Sequence, residues 1–153
     1  MTYISTLLDR LHAINQTITF NGLTAYRYYP SRAGKLPYIV PLLIGNTAYE
    51  QFGTMHSGDE PVIVEARDVS ILVAVAPLAS DVALQTAHKN AETVIPLVVE
   101  AYTTRPYLQL NDNGLTDIRM ARITSDTGID VNPQATDVLS ILFTLNVEFL
   151  REF

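Results

Sequence analysis

The chain contains no cysteine. That excludes a disulfide framework, a thiolate metal site and a thiol nucleophile. It also lacks an apolar run long enough to span a bilayer, which takes about 20 residues. The longest such run, Val69 to Ala79, is interrupted by Ser70 and Pro77. Met1-Thr2-Tyr3-Ile4 shows neither the basic nor the apolar region of a secretory signal peptide. Excess positive charge is missing too. The net charge is −6, which argues against general binding to nucleic acid. A soluble, intracellular protein with no membrane contact is the expectation.

What is present points to a packed fold. The chain has 153 residues, 48% of them apolar. That is enough for a core, and it argues against disorder. With no internal repeat and no linker, residues 1–153 read as a single domain. Charge is unevenly placed. Residues 1–49 hold Arg10, Arg27, Arg32 and Lys35 against Asp9 alone, a net of +3. Residues 50–153 hold six basic and fifteen acidic residues, a net of −9. This is either a solvated surface or a molecule with one basic and one acidic face. The latter can stack head-to-tail or sit between unlike partners.

Periodicity gives the elements. Ile4, Leu7, Leu8, Leu11 and Ile14 form one apolar stripe, so residues 3–14 read as a helix that Thr2 or Ser5 can cap. Thr17 to Tyr29 looks β-like, with Asn21-Gly22 as a hairpin turn. Tyr38 to Ile44 reads as a short strand that Pro41 confines to an edge or bulge. Gly45 to Pro61 reads as one long loop, suited to function. Val62 to Ala76 alternates, but its phase slips around Arg67-Asp68, which predicts a bulge or a segment leaving the sheet. A second helix is expected from about Val82 to Tyr102, capped by Ser80 and Asp81 and kinked at Pro96. Its buried stripe is read as Val82, Leu84, Ala87, Ala91, Val94, Ile95 and Val98. Ile118 to Thr124 and Val138 to Phe149 read as a closing strand pair. On the last strand Leu139, Ile141, Phe143, Leu145, Val147 and Phe149 share one face, and Leu142 breaks the pattern. The fold class that follows is α+β: a single, mainly antiparallel sheet with two helices packed on it, plus long loops.

Candidate chemistry is sparse. Asp126-Thr127-Gly128 matches the triplet of aspartic proteases, but that reaction needs two such carboxylates sharing a proton. Asp and Gly at a strand-to-strand turn account for the triplet without catalysis. His12, His56 and His88 are the imidazoles, with His12 beside the first helix's stripe and His88 on the exposed side of the second. His56 with Asp59 and Glu60 offers metal ligands at a spacing that fits no strong metal motif. There is no Gly-rich phosphate loop. Tyr26-Arg27-Tyr28-Tyr29, with Arg32 and Lys35, interleaves aromatic and basic residues. Such a patch can be a protein-binding hot spot, a nucleotide-stacking surface, or a half-buried strand whose arginines snorkel.

Four segments in this order resemble the tail terminator proteins of long-tailed bacteriophages. They are the N-terminal helix leading to Tyr26-Arg27-Tyr28-Tyr29-Pro30 and Leu36-Pro37-Tyr38-Ile39-Val40; Glu65-Ala66-Arg67-Asp68-Val69-Ser70-Ile71-Leu72-Val73; Ala91-Glu92-Thr93-Val94-Ile95-Pro96-Leu97; and Ile123-Thr124-Ser125-Asp126-Thr127-Gly128-Ile129 with Leu142-Phe143-Thr144-Leu145-Asn146-Val147. The resemblance spans most of the chain and rests on element order rather than fixed residues.

It implies a non-catalytic, cofactor-free and metal-free virion protein. Such a protein forms a ring, typically a hexamer, that caps the tail tube and ends tail growth. The other face of the ring meets the head connector, and assembly takes place in the host cytoplasm. An acidic lumen would pass DNA without specific binding, since backbone binding depends on cationic side chains. The residues expected at protein interfaces are Arg27, Tyr28, Tyr29, Arg32, Lys35, His56, Arg67 and Asp68. Rival readings are a head-completion or neck protein on the portal side, a small hydrolase using Asp126 or the His56 loop, and a host binding domain with the same element order.

Overall fold

A computed structural model describes residues 3–30, 35–52, 62–77, 83–130 and 138–152. Two helices and six strands follow in the order α1 (Tyr3–Asn15), β1 (Thr24–Ala25), β2 (Tyr38–Leu42), β3 (Thr47–Phe52), β4 (Val62–Pro77), α2 (Ala83–Thr103), β5 (Ile118–Asp130) and β6 (Val138–Glu152). The strands form one sheet in the order β1-β2-β4-β6-β5, and β3 also pairs with β4. Only the short β1–β2 pair is parallel. The α+β expectation is met.

Both helices bury the apolar rows that predict them. On α1, Leu7, Leu11 and Ile14 are fully enclosed. Ser5 lies inside the helix rather than capping it, and Thr2 falls outside the described residues. On α2, Ala83, Ala87, Ala91, Val94, Val98, Ala101 and Tyr102 face inward. Alanines at this spacing let the helix axis approach the sheet closely. Leu84, expected in this stripe, is 49% exposed. The row through Ala87 and Ala91 steps back four residues to Ala83, so Leu84 falls one position off the buried face. Helical structure continues through Pro96, whose side is exposed to solvent, where water can serve the Glu92 carbonyl that loses its partner. Ser80, Asp81, Val82 and the rest of 78–82 lie outside the described residues.

The N-terminal hairpin does not form. Thr17 and Ile18 donate their amides back to Ile14 and Asn15, winding the chain out of α1. Those amides are then unavailable to a strand. Asn21-Gly22 still turns, with Gly22 at φ 73° and Leu23 bonded back to Phe20. The strand that follows keeps only Thr24 and Ala25, laid parallel on Tyr38 and Ile39.

The reading of Gly45 to Pro61 as one loop is also corrected, because Thr47–Phe52 is a strand. β2 and β3 run end to end along the same side of β4. β2 takes Ser70 to Ala74, and β3 takes Val62 to Arg67. Gly45 makes the step between them possible. A Cβ there would stand 2.7 Å from both the Cβ and the carbonyl oxygen of Asp68, and the φ of 146° is one that side chains rarely adopt. The period-2 signal failed here because Thr47, Ala48, Tyr49 and Glu50 have no buried face to alternate with.

No bulge interrupts β4 at Arg67-Asp68. Its register with β6 is continuous from Val62–Glu152 to Ala74–Ser140, and the shift comes only at Ala74/Ala76. The apparent slip arises because Glu65 and Arg67 occupy the same face as Val69, Ile71 and Val73. Beyond Val69 the sheet is covered on both sides, so nearly every β4 residue is buried. A second apolar cluster of Tyr38, Val40, Leu72, Ala74 and Val138 sits on the face away from the helices. Leu142 packs against it, which explains the break in the β6 pattern. The other face of β6, from Leu139 to Phe149, is buried as expected.

Candidate functional site

Residues predicted at an interface gather at one sheet edge, and others do not join them. Tyr26 and Tyr29 set their rings edge-on to Tyr38, at 5.6 and 6.5 Å between centroids. Burial first, and then the hydrogen bond with Tyr29, push the Tyr38 hydroxyl well above its ordinary value. The alternate residue, Tyr28, turns outward and is 73% exposed. The Arg27 guanidinium lies 4.5 Å over the Tyr28 ring and donates through Nε to Asp9 Oδ1 at 2.6 Å. Arg27 is therefore an ion-paired clamp between α1 and the aromatic segment rather than a free cation. Lys35 is exposed beside it, its backbone amide donating to the Tyr26 hydroxyl at 3.2 Å.

These side chains border a groove of about 360 Å³ between α1 and the end of β2, lined by Ile4, Leu8, Tyr28, Tyr29, Pro41 and Leu43 among others. Leu43 and Ile44, just past β2, are at least half exposed. Sequence reasoning missed them, although a signal was there. Leu42-Leu43-Ile44 is an unbroken apolar run past Pro41, and a strand cannot turn all three inward. With Tyr28 and Tyr29, Leu43 forms an exposed apolar cluster of the kind that marks interaction sites.

Arg67 and Asp68 belong elsewhere, and to opposite faces of the sheet. Asp68 accepts from Asn146 Nδ2 at 2.9 Å on the face away from the helices. On the helix face, Arg67 Nε donates to Glu65 Oε2 at 3.0 Å, and its Nη2 donates to the Tyr49 hydroxyl at 3.1 Å. The Tyr3 hydroxyl donates to Glu65 Oε1 at 2.6 Å. Glu65 is only 1% exposed, so both oxygens of a buried carboxylate are satisfied. The Arg151 guanidinium stacks 3.7 Å over the Tyr3 ring. Burial, then the bond to Glu65, raise the Tyr3 hydroxyl. Burial alone would lower Arg67, yet the hydrogen bond and charge of Glu65 raise it. The network pins the start of α1 to the far end of the sheet. Sequence reasoning saw only a phase slip in its place.

Among the described residues, the Asp126 triplet is taken up by local structure. Asp126-Thr127-Gly128 is no strand-to-strand turn but lies inside β5, where the register with β6 shifts between Asp126 and Ile129. Gly128 takes a φ of 63°, and its amide donates to Asp126 Oδ1 at 2.8 Å. Thr127 Oγ1 accepts from the Leu142 amide at 3.1 Å. The triplet closes a bulge, which is the local work its residue types do best. His88 is exposed, and His12 is half-buried with Nδ1 enclosed and unpartnered. His56 and Arg32 lie outside the described residues. Among the described residues no three His, Asp or Glu side chains converge as a metal site, and no helix is long and apolar enough to cross a membrane. No protein-family model matches the chain, and no curated protein matches it.

Proposed function

We propose that this chain is a structural subunit of the tail terminator kind, working by surface contact. Copies join into a ring, a hexamer on the family pattern, that seats on the end of a phage tail tube. The ring stops growth of the tube and presents its other face to the head connector. The observation that carries this reading is the exposed cluster of Tyr28, Tyr29 and Leu43 around the α1–β2 groove. Leaving three large, largely apolar side chains in water at one place favours a partner there. Arg27, fixed by Asp9, supplies the oriented cation common at such sites. The carboxylate of the Asp126 triplet is engaged in its own bulge, which favours a structural role for it over a hydrolytic one.

The test is native mass across a wide concentration range, with electron microscopy of any large species and co-sedimentation with purified tail tubes. Closed rings that bind tubes and cap them support the reading. Rings that bind the portal side instead would assign the chain to the neck. A monomer that binds neither would end the proposal.

A further inference from the structure

Open sheet edges invite pairing with other chains, and proteins guard them with proline, charges, bulges or covering elements. β5 is guarded. Its pairing with β6 shifts at three places, and Arg119, Arg122 and Asp126 are exposed along it. β2 is guarded as well. β1 covers Tyr38 and Ile39, and Pro41, on the same outward parity as Ile39, has no N–H to offer.

β3 is guarded by a single charge, Glu50. It holds no proline, its six pairs with β4 run without a shift, and among the described residues nothing pairs with its outer side. The Asn46 carbonyl accepts from the Asp68 amide, so even-numbered backbone groups point toward β4. By alternation the amides and carbonyls of Thr47, Tyr49 and Gln51 point outward.

The ground beside this edge has a definite charge. On the face away from the helices a hollow of about 500 Å³ is lined by Ala48, Tyr49, Glu50, Val64, Ala66, Arg119 and Glu148. Two carboxylates stand over an apolar floor, against one guanidinium.

We infer that β3 receives an added strand from a different protein, an extended segment bearing a lysine or arginine that reaches over Glu50 and Glu148. Main-chain bonds to Thr47, Tyr49 and Gln51 provide the affinity, and the acidic hollow selects the cation. A second copy fits less well. Pairing β3 with itself would bring two acidic hollows onto one face, each holding two carboxylates against the single guanidinium of Arg119. The Arg27 of another copy is already held by Asp9. This inference does not depend on the tail reading.

The probe is a blocked hexapeptide, acetyl-Thr-Val-Lys-Val-Thr-Val-amide, titrated into the isotope-labelled full chain with amide exchange followed by NMR. A version with Glu in place of Lys is the control. The expected result is slowed exchange at Thr47, Tyr49 and Gln51 alone, with affinity for the Lys peptide about tenfold above that for the Glu peptide. That preference should shrink in Glu50→Gln. Tyr49→Pro removes one outward amide and should abolish binding, while retained protection at Ala48 and Glu50 shows that β3 still pairs with β4. Equal affinity for the two peptides overturns the proposal. So does slow exchange of the three amides without peptide, or no effect at ~1 mM peptide.

Discussion

The two halves of β4 are built on one continuous register with β6, yet they are held in different ways. From Val69 to Ala76 the strand is buried on both faces, between the helices on one side and the Tyr38–Val40–Leu72 cluster on the other. From Val62 to Asp68 the same face that buries Val69, Ile71 and Val73 instead carries Glu65 and Arg67. The first half gains from apolar surface removed from water, about 1.5–3 kcal/mol for each large side chain. The second relies on a carboxylate whose desolvation must be offset by three groups at once: Tyr3, Arg67 and, through Arg67, Tyr49. One half tolerates changes of partner but not loss of volume. The other tolerates loss of volume but not loss of a partner.

The largest effect is expected in the apolar half. Phe143 pairs with Ile71 and is fully buried. Phe143→Ala should cost about 3–5 kcal/mol, read from chemical denaturation midpoints at an unchanged slope. A loss under about 1 kcal/mol would mean that this half is loosely packed.

Second comes the polar half. Glu65→Ala leaves Arg67 half-buried without its carboxylate and should cost about 3 kcal/mol. The double replacement Glu65→Leu with Arg67→Met removes both charges at similar volume and should be near neutral. If the double variant is as unstable as the single one, the network is not an isolated pair, and its coupling to Tyr3 and Tyr49 dominates.

A smaller loss is expected where α1 meets α2. The Tyr102 hydroxyl donates to Asn15 Oδ1 at 2.6 Å in a fully buried setting, and burial raises its pKa strongly. Tyr102→Phe should cost about 1–2 kcal/mol by the same denaturation assay, because Asn15 stays buried with its acceptor unpaired. Its Nδ2 is already unpartnered, so the site has no spare bond to fall back on.

These contrasts explain how much could be read in advance. Apolar periodicity located both helices, β4 and β6, since their residues alternate with a buried face. The six inward residues from Leu139 to Phe149 on β6 were legible one by one. β3 was invisible because Ala48, Tyr49, Glu50 and Gln51 are all exposed, leaving no alternation to find. Glu65 misled because a carboxylate normally marks the wet face. Its two partners, Arg67 and the hydroxyl of Tyr3 62 residues away in sequence, make it a core residue. Of the candidate site, Tyr28 and Tyr29 were legible from composition. Leu43 and Ile44 were not, since their exposure follows from where β2 ends.

A fourth expectation concerns acid. Arg10 holds Asp112 through two bonds at 3.0 and 2.8 Å, and the amides of Gly114 and Leu110 also donate to its carboxylate. Arg10 first, and then these amides, press the carboxyl well below its ordinary 3.8. A depressed folded value means that the contribution is present above the ordinary value and lost as pH falls beneath it. Asp112→Asn should therefore narrow the gap in stability between pH 6 and pH 3. The exposed position keeps the effect small. A variant that retains the wild-type acid limb would show that other carboxylates set it.

The smallest change in stability is expected where the functional consequence is greatest. Tyr28 gives most of its surface to water, and the Arg27 guanidinium over its ring is held in place by Asp9 without it. Tyr28→Ser should shift stability by less than about 0.5 kcal/mol. Truncating an exposed aromatic that anchors a contact costs a partner about 2 kcal/mol or more, a loss of roughly thirtyfold in affinity. Pairing Tyr28→Ser with Leu43→Ser, on the same cluster, separates the outcomes. If both variants keep the wild-type melting curve and fail to assemble or dock, the cluster is an interface. If both assemble normally, these apolar groups are ordinary surface, and the contacts that build any ring lie elsewhere on the sheet.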